Sequence, residues 1–189
     1  MPKPIQPWQR LRRGFNLMAA FDTAFDRVFT NEGGFTDDPE DRGNWTSGVV
    51  GQGELKGTKF GISAMTYPAL DIRNLTKQEA KDIYRVDWWW ALDMDNFRPA
   101  MAYQMFDAAI NHGMRRATKI LQRAVGAKPD GLIGPKTMGR VSGTDINDLL
   151  FAFLAERLEF MTRVGTWDNY GKGWARRIAH NLKLAAKDN

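Results

Sequence analysis

Two carboxylates, separated by a glycine pair and an acidic turn, are the residues of this chain best suited to chemistry. Glu32 falls on an apolar helical stripe of Leu17, Phe21, Ala24, Phe25, Val28 and Phe29, where a core side chain is expected. Gly33-Gly34 then ends the helix. Apolar neighbours and the negative end of the helix dipole both disfavour the charged form, so the pKa of Glu32 should be raised. A carboxyl group that keeps its proton near neutral pH can act as a general acid. Asp41, nine residues on in the polar turn Asp37-Asp38-Pro39-Glu40-Asp41, should stay ionised and could activate water. The plainer alternative is an ordinary helix end followed by a solvated acidic turn.

The elements that must hold these groups can be read in order. Helix spacing predicts the first strong helix over about residues 16–31. Glycines at 43, 48, 51, 53 and 57 then punctuate a loop or short β-hairpin reaching about Phe60. Thr58, taken alone, reads as a strand or turn threonine. Thr76 and Glu79 form a capping box at the start of a helix carrying Ala80, Ile83 and Tyr84. That helix meets Trp88-Trp89-Trp90, and three successive tryptophans cannot all point inward, so at least one should face a groove or a sheltered edge. A buried helix spans 99–113, with Asp107 and Asn111 sharing one face; polar groups there should be hydrogen-bonded. His112 near its end reads as structural. A basic amphipathic helix follows from Arg115 to Gly126, and Asp130-Gly131 and Gly134-Pro135 set two tight turns. Thr144 or Asp145 caps the next helix, which ends at Gly165, and a last helix is expected from Trp174 to Lys187.

Composition bounds the rest. The 189 residues suffice for one domain with a core, or a domain with a small appendage. There are no cysteines and only two histidines, so neither a disulfide nor a multi-histidine metal site is available. The formal charge of +5 suits a polyanionic partner such as nucleic acid, anionic lipid or the cell wall. No apolar run is long enough to span a bilayer, and Asp22 and Asp26 interrupt what would be the apolar stretch of a leader. Seven tryptophans, eleven phenylalanines and four tyrosines supply an aromatic core and, on a second reading, stacking platforms for sugars.

Glu32-Gly33-Gly34-Phe35-Thr36-Asp37-Asp38-Pro39-Glu40-Asp41-Arg42-Gly43, followed by Thr58-Lys59-Phe60-Gly61-Ile62, resembles the N-acetylmuramidases of glycoside hydrolase family 108, largely phage endolysins and related bacterial lysozymes. Phe106-Asp107-Ala108-Ala109-Ile110-Asn111-His112-Gly113 and Trp167-Asp168-Asn169-Tyr170-Gly171-Lys172-Gly173-Trp174-Ala175-Arg176-Arg177 extend the resemblance to roughly residues 17–180. It implies a mainly α, lysozyme-like domain with a small β-hairpin or irregular lobe, over residues 17–189, after an N-terminal extension of 1–16. Within it, 115–141 resembles a peptidoglycan-binding helical module. The implied reaction is hydrolysis of the β-1,4 bond between N-acetylmuramic acid and N-acetylglucosamine. Glu32 would be the acid, Asp41 would activate or orient water, and Thr58 would hold that water. Trp45, Tyr84, Trp88, Trp89 and Asn111 are the expected substrate contacts. Segment 44–56 looks like an insertion relative to the family turn. No cofactor or metal is expected, and the partner is peptidoglycan, with no nucleic acid and no stable membrane insertion, for a monomer. An endolysin would wait in the host cytoplasm and then act on the wall. A non-catalytic peptidoglycan-binding protein and a lytic transglycosylase, which forms an anhydro sugar, are the competing readings.

Overall fold

Helix α1 covers residues 19–29 as the apolar spacing requires, with Phe21, Ala24, Phe25 and Phe29 all buried. The computed structural model describes residues 19–29 and 34–188. The described residues divide into two compact units, those within Phe25–Asp87 on the one hand, and residues 19–24 together with 88–188 on the other. The expected extension 1–16 lies outside the described residues.

The Phe25–Asp87 unit is built on a ring cluster. Phe29 sits 4.7 Å from Phe25 and 4.5 Å from Tyr84, centroid to centroid. Tyr84 ends helix α2 (Lys77–Tyr84), which begins with the capping box expected of Thr76 and Glu79. A hairpin of β1 (Thr58–Lys59) and β2 (Ile62–Ser63) pairs Thr58 with Ser63 and Lys59 with Ile62. Its two corner residues, Phe60 and Gly61, have φ of 51° and 74°, the left-handed pair that matches strand twist in a two-residue hairpin. A phenylalanine is strained there. The Tyr84 hydroxyl, donating to the Phe60 carbonyl at 3.1 Å, helps hold it. A side chain at Gly61 would meet that hydroxyl at 2.6 Å, so the corner needs glycine.

In the other unit, helix α3 (Pro99–His112) is buried from Ala100 through Ala109. Helices α4 (Met114–Ala124), α6 (Ile146–Thr162) and α7 (Trp167–Asp188) pack on α3, and α5 (Pro135–Gly143) follows the turn expected after α4. Phe21, Trp89 and Phe106 meet edge-on, at 5.4, 6.0 and 5.7 Å. Asp145, and not Thr144, caps α6, accepting from the Asn147 amide.

Helix α7 begins seven residues before the expected Trp174, at Trp167. A Cβ at Gly171 would lie 2.7 Å from the Trp167 ring. Gly171 therefore leaves room for an indole lying across the helix backbone. Between α2 and α3, residues Arg85–Trp89 form a π-helical turn followed by a short 3₁₀ turn, Trp90–Leu92. This rotation separates the three tryptophans: Trp88 is half-buried, Trp89 is buried and Trp90 is 54% exposed.

Candidate active site

Asp41, Asn44 and Thr58 form one hydrogen-bonded scaffold within the Phe25–Asp87 unit. Asp41 is the N-cap of the 3₁₀ turn Arg42–Asn44, and its Oδ1 accepts from the Gly43 amide at 2.8 Å. That bond fixes the carboxylate while leaving it exposed to solvent. Asn44 is wholly buried and serves as the hub. Its amide donates to the Asp41 carbonyl at 3.0 Å and its Nδ2 to the Asp38 carbonyl at 3.0 Å. Its own carbonyl accepts from the amides of Lys56 and Gly57, each at 3.0 Å.

The Asn44 Oδ1 accepts the Thr58 hydroxyl proton at 2.7 Å. Thr58 is further fixed by a backbone bridge to Thr36, with bonds of 2.8 and 2.9 Å. The bridge requires Gly57, where a Cβ would meet the Thr36 carbonyl at 2.5 Å. With its proton committed to Asn44, the Thr58 oxygen is left to accept a hydrogen bond. Nothing marked Asn44 in the sequence as more than a loop polar residue, although a buried asparagine three residues after an Asx-capping aspartate is a recognisable turn pattern.

The acidic turn is braced from outside. Arg73 pairs with Asp37 at 2.8 Å and lies 4.3 Å over the Phe35 ring. The Trp45 indole donates to the Pro39 carbonyl at 2.8 Å, so this half-buried ring clamps the turn. The 44–56 segment closes on itself: Thr46 accepts from the Glu54 amide at 2.9 Å, and Ser47 donates to Gln52 at 2.8 Å.

Glu32 lies outside the described residues, as do Thr30, Asn31 and Gly33. Two expected substrate contacts are corrected. Trp89 is 1% exposed, and its indole donates to Asp95 at 2.6 Å. Tyr84 is 3% exposed, with its hydroxyl spent on the hairpin corner. Both are core residues that offer no face to a ligand; helix period alone could not say which tryptophan turns inward across a π-helical turn. Trp88 is half-buried, and Asn111 is exposed with its Nδ2 donating to the Asp107 carbonyl at 2.7 Å. Among the described residues, no group of His, Asp or Glu could hold a metal ion.

Asp107 is buried in the helical unit. Its carboxylate accepts from Arg157 on α6, from Arg177 at 2.6 Å and from Asn181 at 2.8 Å, both on α7. Burial alone would push its pKa up, but the two guanidinium groups outweigh it and hold the carboxyl at about 2. His112 accepts from Arg157 Nε at 3.0 Å. Burial, reinforced by the Arg157 charge, lowers its pKa to about 4. A native pKa below the unfolded value means that the unfolded chain takes up the proton first. The stability that neutral His112 provides should be present above about pH 6.5 and fall away between pH 6.5 and 4. Discounted for partial exposure, the loss is about 1–2 kcal/mol, or roughly 2–8 °C in Tm. Thermal melts of the parent and of His112→Gln across that range check this; the variant should show a flatter profile.

The sequence profile of the family described as Glycosyl hydrolase 108 matches residues 25–113. A solved structure of SagA from Brucella abortus is 30% identical, with a TM-score of 0.74, the match covering 90% of this chain and 96% of that one. No curated protein matches.

Proposed function

This chain belongs to glycosyl hydrolase family 108, which makes it a peptidoglycan hydrolase, and from that premise we propose that it is an N-acetylmuramidase. The bond cleaved is the β-1,4 link between N-acetylmuramic acid and N-acetylglucosamine. One observation carries the mechanism: the Thr58 proton is given to Asn44 Oδ1, on the same scaffold that holds Asp41. A water that donates one proton to the Asp41 carboxylate and the other as a hydrogen bond to the Thr58 oxygen presents a lone pair to the anomeric carbon.

Glu32 protonates the leaving oxygen as the C1–O bond breaks. Water forms the new C1–O bond and passes its proton to Asp41, and exchange with solvent restores both carboxyl groups. Water attack from the far face of the sugar inverts the anomeric centre, whereas direct attack by Asp41 would retain it after two steps. Trp45, Trp88 and Asn111 remain the proposed sugar contacts. The role assigned is that of a phage endolysin, held in the host cytoplasm until lysis. The resemblance of its acidic turn and hairpin motifs to such enzymes supports this.

The test is NMR of the first product formed from purified peptidoglycan glycan. A new reducing end with the α-anomer appearing first is expected. A β-anomer first, or a glycosyl-enzyme trapped on Asp41, overturns the water-activating role. An anhydro product overturns hydrolysis itself.

A further inference from the structure

The helical unit contains a cavity of about 160 Å³ with Asn111, one of the proposed sugar contacts, on its wall. His112, Arg116, Arg157, Val164, Trp174 and Arg177 are among its walls. Three of the six are guanidinium groups, and Arg157 and Arg177 both pair with the carboxylate of Asp107. Arg157 is wholly buried. Its Nε is bonded to His112 and its Nη1 to Asp107, but Nη2 has no hydrogen-bond partner. A buried guanidinium nitrogen with two unused protons is rare and calls for an acceptor. Burial is the main cause of the depressed pKa of His112, and Arg157, Arg177 and Arg116 lower it further against the opposing charge of Asp107.

We propose that this cavity is an anion-binding pocket that takes a carboxylate of the peptidoglycan stem peptide, with the Arg116 and Arg157 guanidinium groups that line it as its donors. The chemistry is that of a charge-assisted guanidinium–carboxylate bond. The walls favour an organic acid over a small hydrated ion. Phe160, Met161, Val164 and Trp174 supply apolar surface that suits a carbon chain. Trp174, one of its walls, stacks at 6.1 Å with Tyr170, which is 60% exposed. The choice of a stem peptide as the source rests on the muramidase reading; the pocket itself does not.

Calorimetric titration tests it with three probes: a disaccharide tetrapeptide from peptidoglycan, the same disaccharide without peptide and with its lactyl carboxyl group amidated, and inorganic phosphate. Arg157→Gln risks the fold, because it also strips Asp107. The variants are therefore Arg116→Gln, which removes one donor from an exposed residue, and Val164→Phe, which fills the cavity. The tetrapeptide should bind about ten-fold tighter than the bare disaccharide, the worth of one charge-assisted hydrogen bond, and each variant should erase that difference. Equal binding of the two disaccharides, or a peptide effect that both variants keep, overturns the pocket. Phosphate binding without a peptide effect overturns the stem carboxylate as the occupant. Turnover of peptide-free glycan strands is read separately. Failure there counts against the muramidase, while failure of the peptide effect alone counts only against this site.

Discussion

Glu32→Gln should fold like the parent and lose lytic activity by about 10²–10⁴-fold, the usual contribution of a general acid. Glutamine keeps the size and shape of the side chain but has no proton to give to a leaving oxygen. The expectation follows from the sequence alone, which puts a carboxylate four residues after Val28 on the apolar pattern and just ahead of Gly33-Gly34. Clearing of a purified cell-wall suspension measures the loss, and a thermal melt of the same sample shows that the fold is kept. The pH profile adds a second readout. In the parent, activity should fall at high pH as Glu32 loses its proton; any residual rate of the variant should lack that limb. A folded variant that clears cell walls at the parent's rate removes Glu32 from the reaction.

The largest effect on stability should come from Asp107→Asn. Arg157 would keep its charge in a wholly buried site, and Arg177 would lose the carboxylate oxygen to which its Nε and Nη2 donate. Removing one partner of a buried ion pair costs about 3–5 kcal/mol, because the other is left uncompensated. For a chain of this size that is a Tm drop of roughly 6–20 °C. The double variant Asp107→Asn, Arg157→Met should recover part of it, since an apolar side chain of similar length does not need a counter-charge. Calorimetric melts compare the three proteins. If the double variant is less stable than Asp107→Asn alone, the unpaired charge is not the source of the loss.

Residues that act through local chain geometry were the legible ones. The Thr76–Glu79 capping box, the glycine-ended α3 and the apolar face of α6 follow from spacing alone, because each depends on neighbours three or four positions away. The mainly α architecture with a small hairpin follows from the same patterns, read beside the family motifs. Long-range pairings left no such trace. Asn44 joins Thr58 across fourteen residues, and Asp107 joins Arg177 across seventy. Neither distance produces a period. The tryptophans fail for a related reason: the π-helical turn at Arg85–Trp89 shifts the phase, so the 3.6-residue period cannot tell that Trp89 faces the core and Trp90 solvent. At α7 the expected start at Trp174 came seven residues late, because the helix runs through Gly171 and Gly173 from Trp167.

Gln122 on α4 gives the segment after it an unusual independence. This one buried amide accepts from the Gly131 N–H at 2.8 Å and donates to Asp130 at 2.7 Å, to the Leu132 carbonyl at 3.0 Å and to Thr137 at 3.3 Å. Two of those four partners are backbone atoms, and the Leu132 side chain between them is 73% exposed. The loop's path is thus written by a residue outside the loop. In engineering terms it is a cassette: provided that Gln122, Asp130, Gly131 and Thr137 stay, the outward side chain at 132 can be randomised to display new chemistry on the surface without re-solving the fold.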